Sequence, residues 1–228
     1  MARRLFFVDE VRRGEAELHG EEAKHLTRVL RVEAGQRYEI SDNNSLYMAE
    51  VAQARKDLVI FRTLEKLPWP DQGPAVHLLP ALFKFDHFEW MLEKATELGA
   101  THVTPVIAER SEHGLDRAAQ KRIERWRRIV LESCQQSRRP LLPTVDLPVR
   151  LPEALKLEAD QRLFLDEVAG GGPMSPHAGS TLILLGPEGG WADHERETIL
   201  AAQWTRISLG PRILRAETAA LAALAKLL

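Results

Sequence analysis

The sequence predicts an α/β fold, a mostly parallel sheet with helices on both faces, preceded by a small β-rich domain. Three observations carry that reading. From residue 76 onward, short apolar runs alternate with amphipathic helical patterns. Before that, β-branched and aromatic runs alternate with turn residues such as Asp42-Asn43-Asn44-Ser45. Between the two lies Leu67-Pro-Trp-Pro-Asp-Gln-Gly-Pro74, whose three prolines and one glycine fit neither a helix nor a central strand. The expected domains are residues 1–70 and 71–228.

At 228 residues the chain can bury a substantial core. Its formal net charge of −2 conceals local asymmetry. The single cysteine, Cys134, allows no internal disulfide, which fits a reducing cytoplasm. No apolar run approaches a membrane span, and the opening Met-Ala-Arg-Arg-Leu-Phe-Phe turns acidic at Asp9-Glu10, unlike a signal peptide.

In the first domain, Arg4–Val8 reads as a strand and Gly20–Leu30 as a helix with Ala23, Leu26, Val29 and Leu30 at helical spacing. Arg37–Ser41, Leu46–Ala54 and Lys56–Leu64 read as three more strands, together a compact barrel or sheet. Arg3, Arg4, Lys24, Arg28 and Arg31 form either a basic RNA-facing surface or solvated charges balanced by Asp9, Glu10, Glu21 and Glu22.

In the second domain, Val76–Leu82 is a buried strand. Phe85, Phe88, Leu92, Ala95 and Leu98 then mark one face of a helix that Gly99 closes. His102–Ala108 is the second strand and Asp116–Ser137 a long basic helix. Over Arg110–Arg139, nine lysines and arginines face four acidic residues, a pattern suited to a phosphate-facing surface or to a solvated helix. Leu151–Leu157 is a short helix, Gln161–Asp166 the third strand and Gly170–Pro173 a mobile loop. Thr181–Leu185 is the fourth strand; Asp193 can N-cap a helix to about residue 203; Trp204–Ser208 is the fifth strand. Glu217–Leu228 is an Ala/Leu helix with little polar face, to be buried against its own sheet or a second subunit.

Two turns stand out. Gly186-Pro187-Glu188-Gly189-Gly190 follows the fourth strand, and Leu209-Gly210-Pro211-Arg212-Ile213-Leu214-Arg215 follows the fifth. In a parallel sheet, ligands bind at such C-terminal strand ends. Neither turn has a lysine or the G-x-G-x-x-G or G-x-x-x-x-G-K-[ST] spacing, so phosphate-rich nucleotides are disfavoured. A phosphate-free adenosine with a zwitterionic tail fits better, its adenine between apolar residues such as Leu185, Leu209, Ile213 and Leu214. The eight histidines show no metal-ligand spacing with Cys134 or with one another, and there is no G-x-S-x-G elbow. Lys94 and Glu97 read more readily as an ion pair than as site residues.

Gly-Pro-Glu-Gly-Gly followed by Leu-Gly-x-Arg-Ile-Leu-Arg-x-Glu-Thr-Ala closely resembles the 16S rRNA (uracil-N3) methyltransferases of the SPOUT superfamily, the RsmE type. Glu89–Gly99, Thr104-Pro105, Glu109-Arg110-Ser111, Arg125-Trp126 and Cys134–Arg138 match the same family in order, and the N-terminal part looks like its PUA-like barrel. The resemblance implies a trefoil-knotted sheet, S-adenosyl-L-methionine as cofactor and a homodimer; the histidine spacing, the apolar runs and the lone cysteine predict no metal, no membrane and a cytoplasmic protein. It also implies as substrate a decoding-region uridine of 16S rRNA, methylated at N3 in the assembled small subunit. By motif position, Leu165, Leu185, Gly186, Glu188, Gly189, Gly190, Leu209, Gly210, Ile213 and Leu214 would line the cofactor pocket. Uracil N3–H is a weak acid, so Glu217 is the candidate base, with N-terminal capping of the last helix as its competing role. Arg215 is the candidate for stabilising charge on the uracil carbonyls. Arg3, Arg4, Lys24, Arg28, Arg110, Arg122, Arg125, Arg128, Arg138 and Arg212 would meet RNA. A SPOUT enzyme acting on another base or a ribose 2′-OH, and a non-catalytic RNA-binding assembly factor, are the alternatives.

Overall fold

A computed structural model of the chain describes residues 4–71, 73–112, 114–168, 170–175 and 177–227. The chain divides into two compact units: Met1–Asp71 with Cys134–Leu142, and Gln72–Ser133 with Pro143–Leu228. Arg3 and His113, both considered above, lie outside the described residues. Among the described residues, no helix is long and apolar enough to cross a membrane.

The first unit contains β1 (Leu5–Phe7), β2 (Glu15–His19), α1 (Gly20–Lys24), β3 (Arg37–Ser41), β4 (Leu46–Arg55) and β5 (Leu58–Leu67). The strands form one five-stranded sheet in the order β1-β3-β4-β5-β2, around a core that includes Phe6, Leu18, Leu26, Ile40, Val51 and Phe61. β2 is not among the expected strands. Its Glu15, Glu17 and His19 are exposed while Ala16 and Leu18 are buried, so two modest apolar residues carry the alternation. The helix expected over residues 20–30 begins as α1 and then widens into a π-helical turn over His25–Val29, where Leu30 N–H donates to His25 O at 3.2 Å. The Thr27 hydroxyl donates to Ala23 O at 2.9 Å, competing for a carbonyl that a regular helix would use, and lies 3.2 Å from Lys56 O in the turn between β4 and β5. Arg31, at φ 51°, ends it.

The segment 134–142 belongs to this first unit, through contacts no local pattern shows. Arg138, at φ 60°, donates to both carboxylate oxygens of buried Glu39 at 2.6 and 2.9 Å. Ser41 Oγ donates to Pro140 O at 2.7 Å, and Leu142 N–H to Asn43 Oδ1 at 2.6 Å. Burial pushes the Cys134 thiol up to about 12, so it packs as an inert side chain.

The second unit contains β6 (Val76–Pro80), α2 (Phe85–Leu98), β7 (His102–Val103), β8 (Val106–Ile107), most of α3 (Leu115–Ser137), β9 (Thr144–Val145), β10 (Val149–Arg150) and α4 (Leu151–Ala154). It continues with β11 (Gln161–Leu165), β12 (Gly172–Pro173), β13 (Thr181–Leu185), α5 (Asp193–Ala201), β14 (Thr205–Ser208) and α6 (Ala216–Leu227). Seven strands pair in the order β12-β14-β11-β13-β6-β7-β9, every pair parallel. Because side chains alternate across a strand, Leu79, Phe164, Leu182 and Leu184 share a cluster with Trp191 and with Ala154 and Ile199 of α4 and α5. The opposite face is covered by α6, which packs on β6, β13 and α2. The fully buried β13 is the natural result of burial on both sides.

Three local expectations need correction. The strand expected over His102–Ala108 is two strands in different sheets: β7 pairs with β6 and β8 with β10, and Pro105, which has no N–H to donate, stands at the break. The Gly170–Pro173 loop contributes β12 on the sheet edge. A Cβ on Gly171 would lie 2.8 Å from the Ile207 backbone, so glycine permits this close approach to β14. Asp193 is the first residue of α5 rather than its cap; buried Glu195 does that work, accepting Ala192 N–H at 3.0 Å and Glu109 N–H at 2.9 Å.

At the far edge of the sheet the fold brings together His77, His102 and Asp146, which the linear spacing of the histidines does not reveal. Their polar atoms satisfy one another: His77 Nε2 lies 2.7 Å from Thr104 Oγ1, and Asp146 Oδ2 accepts from Thr104 Oγ1 at 2.5 Å and meets His102 Nε2 at 3.0 Å. Burial, followed by the neighbouring His102, pushes His77 down from 6.5 to about 4. The unfolded chain therefore binds more protons than the folded one between these two values. Stability should rise as pH increases from 4 to 6.5 and flatten above. Urea unfolding across that range should show this slope in the wild type and a shallower one in His77→Gln; equal slopes would refute it.

Candidate active site

β11 lies between β13 and β14 in register, with Leu165 opposite Leu185 on one side and Ile207 on the other. The three strands therefore end at one level, and their outgoing loops enclose a cavity of about 490 Å³. β11 contributes Leu165, Asp166 and Glu167. The loop after β13 contributes Leu185–Glu188, Gly190 and Trp191, and the loop after β14 contributes Leu209–Arg215. Lys84 and His87, at the start of α2, and Ala216 and Ala219 of α6 complete the wall.

Each loop has a physical reason for its shape. Trp191 Nε1 donates to Leu165 O at 3.0 Å, tying the loop after β13 to the end of β11. A Cβ on Gly186 would lie 3.0 Å from that indole nitrogen, so the bare backbone lets Trp191 fold beneath it. Gly190, at φ 68°, and Gly210, at φ 134°, occupy left-handed conformations that L side chains rarely adopt.

The Asp166 side chain is fully buried and faces two cations. Arg196 Nε donates to its two oxygens at 3.1 and 3.2 Å, and Arg206 Nε lies 3.3 Å from Oδ2. The contact with Arg206 is an ion pair without hydrogen-bond alignment, since its Nε remains unsatisfied. The carboxylate thereby links the ends of β11 and β14 to α5. Sequence reasoning placed Asp166 at a strand end without giving it a role; its position directly after the third apolar run, where the other two strands have glycine turns, was the available signal.

Of the ten residues expected at the cofactor, nine line this cavity: Leu165, Leu185, Gly186, Glu188, Gly190, Leu209, Gly210, Ile213 and Leu214. Gly189 does not; its carbonyl accepts from Arg110 Nη1 at 3.1 Å on the outside of the loop. Arg215 and Arg212 line the cavity and are exposed. Glu217 does not reach it. Glu217 is buried in the first turn of α6, and its Oε1 lies 2.9 Å from His87 Nδ1. His87, which sequence reasoning passed over, is the member of that pair that faces the cavity. Glu217 raises the His87 pKa above its ordinary value chiefly by that hydrogen bond.

The residues expected to meet RNA fall into two groups. Arg122 and Arg125 grip the largely buried Glu89 at 2.8 Å, and Arg122 also lies 4.6 Å above the Phe85 ring. The paired guanidiniums, Arg125 foremost, hold the Glu89 carboxyl below its usual range. Arg128 pairs with Glu132, Arg138 with Glu39 and Lys24 with Glu21. Arg4 and Arg28 are exposed, as is Arg110. Lys94 pairs with Glu93 and Glu97 at 2.7 and 2.8 Å, the structural pairing its spacing suggested.

Residues 71–228 match the RNA methyltransferase domain family, and residues 18–64 match the RNA methyltransferase PUA domain family. The ribosomal RNA small subunit methyltransferase E of Synechocystis is 34% identical over 226 residues, covering 93% of this chain and 70% of the relative. That of Bacillus subtilis is 33% identical, covering 90% of this chain and 86% of the relative. The crystal structure of the Neisseria gonorrhoeae protein of that name, bound to S-adenosyl methionine, superposes with a TM-score of 0.88 at 28% identity, covering 98% of this chain and 95% of that one. The chain belongs to the ribosomal RNA small subunit methyltransferase E family.

Two outcomes test this description of the site. Asp166→Ala leaves two guanidiniums facing each other and should destabilise the protein by about 3 kcal/mol, read as a drop in Tm; an unchanged Tm would remove Asp166 as the link. Replacing both Arg122 and Arg125 by alanine strands the largely buried Glu89 carboxylate and should lower Tm. A double variant as stable as the wild type would return these arginines to the pool available for RNA.

Proposed function

We propose that this protein transfers a methyl group from S-adenosylmethionine to N3 of a uridine in the decoding region of 16S rRNA, acting on the assembled small subunit as a cytoplasmic homodimer. The observation that supports this reading most is the cavity at the ends of β11, β13 and β14, in a chain of this family. Its chemistry fits the cofactor. Leu185, Ile207, Leu209 and Leu214 offer apolar walls for an adenine. Glu167 and Glu188 put carboxylates on the lining, which suits ribose hydroxyls and an ammonium group and repels phosphate. At Gly210 nothing lies within 4 Å of where a Cβ would stand, so the backbone can approach a ligand.

Bound there, S-adenosylmethionine supplies an electrophilic methyl group. The chain's contribution is to hold the acceptor uracil in line, exclude water and manage one proton and the charge it leaves behind. The guanidiniums of Arg215 and Arg212, with no hydrogen bond or ion pair to any described residue, are available to the uracil carbonyl oxygens and a flanking phosphate. The knotted threading implied by the family resemblance would bring the loops after β13 and β14 around one ligand. The homodimer is supported by α6, where Glu217, Ala220, Ala223, Leu224 and Leu227 are buried while Leu221, Ala222 and Ala225 remain partly exposed.

Purified protein, S-adenosylmethionine and under-methylated small subunits should yield 3-methyluridine on nucleoside mass spectrometry. A different methylated base or a ribose methyl would replace the acceptor, and no transfer together with no heat of cofactor binding would remove the enzyme. Gly210→Val forces a side chain into the left-handed region, at about 1–3 kcal/mol of local strain. It should weaken cofactor affinity about tenfold or more; affinity equal to the wild type would displace the pocket.

A further inference from the structure

The carboxylate expected to act as base, Glu217, sits behind the cavity wall, and a histidine stands between it and the cavity. We propose that His87 is the group that takes the N3 proton, and that Glu217 is the positioning residue that holds the imidazole for this task. The inference rests on the functional reading above.

The geometry is that of an oriented imidazole. Glu217 Oε1 lies 2.9 Å from His87 Nδ1, so the carboxylate accepts the Nδ1 proton and leaves the Nε2 lone pair as the basic site. His87 is one-third exposed and lines the cavity, whereas the Glu217 side chain is 8% exposed and turned away from substrate. The groups around His87 come from both elements packed there. Glu217 and Arg215 stand on the α6 side. Asp86, on α2, has Oδ2 3.7 Å from Nε2, and Lys84 lies one turn earlier. Glu217 and Asp86 favour the imidazolium, while Arg215 opposes it. An imidazolium formed by proton transfer is therefore stabilised where it appears. The cationic Arg215 remains free to face negative charge delocalised from N3 onto the carbonyl oxygens.

The step balances. The N3–H bond breaks with its electron pair left on N3, and the proton bonds to His87 Nε2. The N3 pair forms the bond to the methyl carbon as the carbon–sulfur bond breaks with its pair on sulfur. The imidazolium then returns its proton to water.

The test compares the wild type, His87→Gln and Glu217→Gln on under-methylated small subunits, with cofactor affinity by calorimetry and the His87 titration by NMR of the cofactor-free protein. His87→Gln should bind cofactor within about twofold of the wild type yet lose about 10²–10⁴-fold in kcat. Its residual rate should keep rising with pH as solvent hydroxide replaces the base, where the wild type reaches a plateau. Subunits carrying 5-fluorouridine, whose N3–H is more acidic, should recover part of the loss. Glu217→Gln keeps the hydrogen bond but removes the charge, so the NMR titration and the acid limb of the rate should both move to lower pH. A merely structural Glu217 would shift the NMR titration of His87 but leave the acid limb of the rate where it is. If the wild type transfers methyl groups and His87→Gln does so with an unchanged rate and pH profile, the assignment of the base is overturned while the function stands. If the wild type transfers none, the functional reading fails and the base assignment falls with it. Because His87 is partly exposed and Glu217→Gln is isosteric, folding of both variants can be verified by circular dichroism before either result is read.

Discussion

A parallel strand cannot turn back on itself; its chain must leave at the C-terminal end and cross over, taking its polar loop atoms with it. In this protein the register of β11 with both neighbours places three such exits side by side, at Leu165, Leu185 and Ile207. Everything at the site follows from that alignment. The apolar residues that end the strands become walls, and the first polar residues beyond them become the functional groups. The alignment is maintained at its floor by Trp191 donating to Leu165 O, and at its side by Asp166 joined to Arg196 and Arg206. A buried carboxylate between two arginines is a poor source of net stability compared with an apolar substitute. It does hold the strand ends against sliding, because a shift of one residue would break the contacts of buried Asp166 with both Arg196 and Arg206.

The distribution of charge separates structural from available cations. The long helix α3 looks from composition like a phosphate-binding surface, yet Arg122 and Arg125 are held by Glu89, Arg127 by Glu124 and Arg128 by Glu132. Surface pairs of the last kind are weak and open readily to a competing phosphate. The Glu89 fork is different, because its carboxylate is only 12% exposed and engages both guanidiniums. At the cavity the pattern reverses: Arg212 and Arg215 are exposed with no bonded partner among the described residues. Local charge density thus overstates the helix and understates the loop, since density counts cations without asking what already holds them.

How much of this is legible in the sequence depends on how local each feature is. The strand ends at Leu185 and Ser208 and the α2 stop at Gly99, with φ 106°, follow from apolar runs and single glycines. Nine pocket residues follow from the same punctuation together with family motifs. What escapes is non-local. β2 is half charged and gains its strand character only by pairing with β5. The attachment of residues 134–142 to β3 rests on Arg138–Glu39 and Ser41–Pro140, pairs 99 positions apart. The His77–His102–Asp146 cluster forms because adjacent strands place His77 beside His102.

Glu217 shows how a residue expected at the cavity can stand behind its wall. Its neighbours in sequence, Arg215 and Ala216, line the cavity, so proximity along the chain argues for the carboxylate as a participant. But α6 begins at Ala216, and a helix turns each successive side chain by about 100°. Two positions after Arg215, the side chain points into the packing with α2. A carboxylate in that location is favoured by the helix N-terminus and, being buried, calls for a hydrogen-bond partner. The partner it finds is the one α2 side chain that faces both ways, toward Glu217 and toward the cavity. Helical periodicity, applied to the residues after Arg215, accounts for Glu217 facing inward. It does not select His87, because that choice is made by the packing of two helices 130 residues apart in sequence.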